Sequence, residues 1–181
     1  MWECDYSLVT SAILPYYFHV TQHNKWVITP EYNYLENNHP DYTIFKVLDN
    51  PFKLEIHAVV EIKSKTGDSW SKLLEQMHSQ ADVAKKESGR LWAIGQKGLE
   101  ICFFRFDVLK YADQNPDCFT HFEPLNLSNL TGPELDDLDV KYVQCNDHSF
   151  ARIALLKWRL DNERHIPYIN RMFEWIRTLE P

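Results

Sequence analysis

Glycine is scarce in this chain, five residues in 181. None of them belongs to a Gly-rich phosphate loop or a nucleophile elbow, so neither motif-borne chemistry is signalled. The four cysteines, Cys4, Cys102, Cys118 and Cys145, are scattered with no Cys-x-x-Cys pair, which excludes the spacing of a zinc site or a disulfide framework. A reducing compartment is the simplest setting for such thiols, and an intracellular location, cytoplasmic or nuclear, is the expectation. No apolar run is long enough to span a bilayer, and Met1 to Asp5 holds no basic segment leading into an apolar stretch. No membrane partner is expected, and internal repeats and low-complexity tracts are also lacking.

Basic residues are outnumbered, 19 against 26 acidic, for a formal net charge of -7. Taken alone, that sum counts against nucleic acid, whose binding is largely electrostatic. The distribution changes the reading. Residues 1 to 50 carry two basic and six acidic side chains, residues 51 to 110 carry ten and eight, residues 111 to 147 one and eight, and residues 148 to 181 six and four. The acidity is therefore concentrated away from the middle of the chain, chiefly in Pro133 to Asp139. That run reads as a solvated loop or helix start that a basic protein partner could use.

What the chain does have is a core-forming composition, 44% hydrophobic and 14% aromatic. At this length one α/β domain, residues 1 to 181, is expected, with its core over about 25 to 107 and C-terminal helices over about 149 to 180. The organising stretch is Leu54 to Lys63. Its even positions, Leu54, Ile56, Ala58, Val60 and Ile62, are apolar or small, and its odd positions carry Glu55, His57, Val59, Glu61 and Lys63. A period of two predicts a strand with one face for the core and Glu61, Lys63 and His57 sharing the other. Upstream, Pro40-Asp41 opens a second strand over Tyr42 to Leu48. The turn signal Asp49-Asn50-Pro51 makes the two an antiparallel pair, which brings Asp41 towards Glu61 and Lys63.

Two carboxylates on neighbouring strands can hold a hard cation that prefers oxygen, Mg²⁺ or Mn²⁺, and a lysine two residues beyond the second can stabilise phosphate or position water. The chemistry suggested is metal-assisted phosphodiester hydrolysis, with Asp41 and Glu61 as metal ligands; the backbone carbonyl of Ile62 could supply another oxygen. Taken alone, Glu-x-Lys also describes an exposed pair on any amphipathic strand. The order of the downstream elements adds to it. Ser69 to Ala84 has apolar residues at helical spacing, with Ser69 or Asp68 as cap. Leu91 to Ile94, a turn at Gly95 to Gly98, and Leu99 to Phe106 then read as a hairpin or as adjacent strands.

Pro40-Asp41, Glu61-Ile62-Lys63, the helix bearing Gln76 and the Leu91 to Phe106 strand pair together resemble the PD-(D/E)XK nuclease superfamily, over about residues 39 to 107. The runs VVEIKSKTGDSWSKLLEQ and LWAIGQKGLEICFFRF look like the nuclease domains of type I restriction enzymes. The resemblance implies a restriction-endonuclease-like fold, a mixed central sheet flanked by helices. It also implies a DNA or RNA substrate, metal binding by Asp41 and Glu61, water or phosphate assistance by Lys63, and Gln76 near the site. The chain departs from one branch of the superfamily in having Gln80 where tyrosine would follow the glutamine by four residues. An acidic residue from the first helix has only Glu3 as candidate. The alternative is the same fold without catalysis, a protein or nucleic-acid interaction module.

The flanks are read more coarsely. Trp2 to Val20 predicts an N-terminal helix bent or ended by Pro15, with Tyr16, Tyr17 and Phe18 in the core. Lys25 to Thr29 predicts a strand closed by Pro30, followed by a polar loop over 31 to 38, after which His39 borders the site. Residues 108 to 148 read as irregular with one strand at Val140 to Val143. Phe150 to Leu160 predicts a helix and residues after Pro167 a second one, both punctuated by basic residues.

Overall fold

A computed structural model describes residues 3–19, 25–32, 39–49, 51–88, 90–107, 122–124, 138–146 and 149–179. The polar loop from 33 to 38 and most of the irregular stretch and acidic run, 108 to 121 and 125 to 137, lie outside the described residues. So does the side chain of Glu3.

Helix α1 (Glu3–Tyr17) leads into β1 (Trp26–Pro30), β2 (Tyr42–Asp49) and β3 (Phe52–Lys63). Helix α2 (Trp70–Ser88) crosses to β4 (Arg90–Lys97), then come β5 (Glu100–Asp107), β6 (Phe122–Pro124), β7 (Leu138–Asn146), β8 (Ser149–Leu156), β9 (Trp158–Arg159) and α3 (Ile166–Thr178). Strands β1 to β6 lie side by side in sequence order in one sheet, β9 joins it on β5, and β7 and β8 form a separate two-stranded ribbon. Within the main sheet β3 and β4 are parallel and every other pairing is antiparallel. A parallel pair cannot be joined by a tight turn, and α2 provides the crossover it requires.

Both faces of the sheet are covered. On one, Leu14, Tyr17 and Phe18 from the α1 end and Ile169, Met172, Phe173 and Ile176 of α3 pack on Ala58, Val60, Ile62, Ile94 and Phe103. On the other, Trp70, Leu73, Leu74, Met77, Ala81 and Ala84 of α2 pack on Ile56, Val59, Ala93, Cys102 and Phe104. The architecture is an α/β mixed sheet flanked by helices. Strand β3 is consequently buried from Ile56 through Ile62 on both sides, and the solvent face that its alternation predicts does not exist at its centre. Central strands of mixed sheets are covered twice.

Four local expectations need correction. The pairing of β2 with β3 slips between Ile44 and Phe45, so that Ile44 faces Ala58 while Phe45 faces Ile56. The extra residue is His57. A bulge of this kind reverses side-chain parity: Ile56 joins the α2 side and His57 is turned to the opposite side, where it stacks on Trp26 at 4.8 Å and bonds the Ile176 carbonyl. Second, Gly95 lies within β4 rather than in a turn. A Cβ there would come within 2.9 Å of Leu73 Cδ2 and 3.0 Å of Met77 Sδ, so the glycine lets α2 approach the sheet, and the turn is made by Gly98 at φ 61°. Third, residues 149 to 156 form β8, paired with β7, instead of a helix. Fourth, Tyr16 is 73% exposed, whereas Tyr17 and Phe18 are buried. Pro15 is accommodated close to the end of α1.

Candidate functional site

The site begins with the antiparallel pairing that aligns Tyr42 with Val60. That register carries the residue before β2, Asp41, to the level of Glu61 and Ile62. The backbone holds it there: the Asp41 carbonyl accepts from the Glu31 N–H at 3.0 Å, and its carboxylate Oδ2 accepts from the Ile62 N–H at 2.6 Å. A charged acceptor on a backbone donor is among the stronger hydrogen bonds available to a protein. Pro40 beside it is buried, which fixes the path of the chain into β2.

Glu61 is 3% exposed. A carboxylate so far from water needs partners, and among the described residues it has two. Lys63 Nζ lies 2.9 Å from Oε1, and Gln80 Nε2 donates to Oε2 at 2.7 Å. The same amide nitrogen donates to the His39 carbonyl at 3.3 Å. Thus α2, the start of β2 and the end of β3 are tied together through one glutamine. Gln80 Oε1 is buried with no hydrogen-bond partner among the described residues. Flipping the amide would set that oxygen against two acceptors, so the orientation is chemically determined.

Asp41, Glu61, Ile62 and Lys63 are thus brought together. Gln76 makes no hydrogen bond to them among the described residues, and its Oε1 is buried without a partner there. One further turn of α2, about 6 Å along its axis, sets Gln80 rather than Gln76 against Glu61. The position that departs from one branch of the resembling superfamily is therefore the one that makes the contact. Its signal in the sequence is the repeat of glutamine at i and i+4, which places both side chains on one helix face. His39 joins through its carbonyl while its side chain stays exposed. His57 is on the other side of the sheet.

The donor set limits what could be bound. Among the described residues no three His, Cys, Asp or Glu side chains form a metal cage. Two carboxylates suit an ion that keeps waters and takes substrate phosphate oxygens into its shell, which is how Mg²⁺ is ordinarily held. Each carboxylate oxygen has two lone-pair directions, so one hydrogen bond to each oxygen of Glu61 leaves acceptor capacity for a cation. Hard oxygen donors with a neighbouring ammonium fit Mg²⁺ or Mn²⁺ and do not fit a thiolate-seeking metal.

Comparison with protein-family models, with curated proteins and with solved structures finds no match to this chain. No helix among the described residues is long and apolar enough to cross a membrane.

Proposed function

We propose that this chain is a divalent-metal-dependent nuclease of restriction-endonuclease-like fold, hydrolysing phosphodiester bonds in DNA or RNA. The observation that carries the reading is the bond from the Ile62 N–H to the Asp41 carboxylate. It sets that carboxylate beside Glu61 and Lys63, although 21 positions separate it from Ile62 in sequence. The order strand, strand, helix, strand, strand in the resembling region supports it too, since β2, β3, α2, β4 and β5 come in that order.

In this reading Asp41, Glu61 and the Ile62 carbonyl hold Mg²⁺ or Mn²⁺, which when bound supplies Lewis-acid charge stabilisation at the phosphoryl oxygens. Gln80 fixes the rotamer of Glu61, and Asp41 is fixed by its backbone donor, so the two carboxylates are preorganised. Lys63, whose side chain is 13% exposed, offers its ammonium to the phosphate or to the attacking water. The protein would act where it meets nucleic acid, in cytoplasm or nucleus.

One observation favours a second reading, a nuclease-like module that binds protein or nucleic acid without cutting. Both Glu61 oxygens are already engaged inside the protein, as in a structural polar network. Incubation with single- and double-stranded DNA and RNA, in Mg²⁺, Mn²⁺ or chelator, separates the two. Metal-dependent cleavage that Asp41→Asn and Glu61→Gln abolish is expected. Cleavage surviving both substitutions sinks the site assignment, and calorimetry showing no Glu61-dependent Mn²⁺ binding favours the module.

A further inference from the structure

Beyond the end of β3 the chain opens a cleft of about 460 Å³ at the ends of β3 and β4, lined in part by Lys65, Trp70, Lys97, Glu100, Arg159 and Asp161. It adjoins the rim that carries Glu61 and Lys63. Lys97 is the β4 partner of Lys63, the Gly98 N–H donates to the Lys63 carbonyl at 2.8 Å, and Lys65 lies two residues further on. In open sheets with parallel strands, ligands bind outside the carboxyl ends of those strands.

The charges in the cleft do not cancel. Glu100 accepts from the Trp70 indole N–H at 3.1 Å and has Lys157 at 4.0 Å. Asp161 takes two bonds from Arg159, at 2.9 and 2.7 Å. That fork of hydrogen bonds holds the Asp161 carboxyl below the usual carboxylate range. Each acid thus has a cation of its own, Arg159 for Asp161 and, more distantly, Lys157 for Glu100. Among the described residues Lys97 Nζ meets carbonyl oxygens, those of Ser64 at 3.4 Å and Lys65 at 2.5 Å. Neither Lys65 nor Lys97 pairs with a carboxylate among the described residues. Two ammonium groups without a carboxylate partner among the described residues thus line a cleft in a chain whose net charge is -7.

We propose that this cleft holds the phosphodiester backbone of a nucleic-acid strand next to the bond presented to Asp41, Glu61 and Lys63. The inference rests on reading that site as one for phosphodiesters. The cleft recognises charge and not bases, because the Trp70 side chain is only 6% exposed and its indole N–H is committed to Glu100, leaving no stacking platform. Phosphate contacts position a strand without reading its sequence.

The test is equilibrium binding of the full chain to a fluorescein-labelled oligonucleotide, as DNA and as RNA, in chelator and over a range of salt. Each of Lys65→Ala and Lys97→Ala should lower the slope of log affinity against log salt by about 1, equally for different sequences. The double variant should bind about ten-fold or more weakly, the order expected for two lost phosphate contacts. Lys97→Ala also removes bonds to the turn after β3, so Lys65→Glu, at an exposed position, is the second variant and should weaken binding at least as much as Lys65→Ala. Lys25→Ala, at the opposite edge of the sheet, should change nothing. Wild-type affinity and slope in Lys65→Glu and in the double variant overturn the proposal. So does competition by a mononucleotide as effective as by an oligonucleotide, or no binding by the wild-type chain. Because no cleavage is needed, the two readings fail separately. Lysine-dependent binding by a chain that never cuts leaves the cleft standing. Cutting abolished by Asp41→Asn in a chain whose binding ignores both lysines leaves the nuclease standing and removes the cleft.

Discussion

His57 and Glu61 stand four residues apart on β3 and are each 3% exposed, yet they occupy opposite faces of the sheet and different kinds of surroundings. His57 is closed in by the Trp26 ring and the Ile176 carbonyl on the side of α1 and α3. Glu61 is met by an ammonium, an amide and, through Ile62, a second carboxylate on the side of α2. Burial of an ionisable group therefore does not mark a reactive place. The partners differ: an aromatic ring and a helix carbonyl complete a core, whereas in the reading proposed above two carboxylates and a lysine keep capacity for a cation and a phosphate.

The largest expected effect breaks the comparison on the Glu61 side. Asparagine at 41 keeps an acceptor for the Ile62 N–H and removes only the charge. Asp41→Asn should therefore lower single-turnover cleavage by about 10³-fold, the several kcal/mol that a metal contributes, with little change in thermal midpoint. A midpoint that collapses while cleavage per folded molecule persists would make Asp41 structural, like His57. Glu61→Gln should lose activity similarly and also stability, since the half-buried Lys63 ammonium then loses the Glu61 carboxylate at 2.9 Å.

The mirror experiment is His57→Ala. It deletes a buried ring and leaves the Ile176 carbonyl without its ring partner, at a cost of about 3 kcal/mol, read by urea unfolding. Mn²⁺ affinity, read by calorimetry, should be unaffected. A loss of metal binding in this variant would show that the two faces are not independent.

Gly95 sharpens the comparison from the backbone. It is the β4 partner of Glu61, and Leu73 and Met77 of α2 occupy the space a Cβ there would need. Gly95→Ala should cost about 2 kcal/mol through overpacking. It would displace the helix that carries Gln80, so cleavage should fall in the same variant, whereas an equally destabilising change on the α3 face should leave cleavage per folded molecule intact.

What is legible in the sequence divides along the same line. The alternation in Leu54 to Lys63 and the turn at Asp49 to Pro51 suffice to place β2 beside β3, and with them Asp41 near Glu61, because antiparallel pairing is geometrically constrained. The bulge is not legible, since an extra residue at His57 is defined only by what β2 offers opposite it. Gly95 reads as a turn because a glycine between two apolar runs has two meanings, and only the approach of α2 selects the second. Phe150, Ile153 and Ala154 match helical spacing in a run too short to separate it from a strand, and pairing with β7 decides for β8. Sequence reasoning favours Gln76 over Gln80 because one-turn differences on a helix face depend on how far the helix has slid along the sheet.

The smallest effect concerns Cys102, the one thiol whose burial is described, which lies on the α2 face of β5. Burial pushes its pKa well above the ordinary value, against smaller lowering contributions from a backbone hydrogen bond with Gly95 and from Lys157. The folded state then keeps a proton that the unfolded chain releases, so stability is unaffected below the unfolded thiol pKa and falls as pH rises above it. The loss is at most about 1.4 kcal/mol per pH unit. Cys102→Ala should remove this increment, so that the difference between variant and wild type is constant up to the unfolded thiol pKa and shrinks as pH rises beyond it. In the native wild type the thiol should stay unreactive to Ellman's reagent until the chain unfolds. Rapid reaction at neutral pH would mean that α2 separates from β5 under native conditions. The Glu61–Gln80 contact would then be intermittent, and the rim of Asp41, Glu61 and Lys63 would be assembled only part of the time.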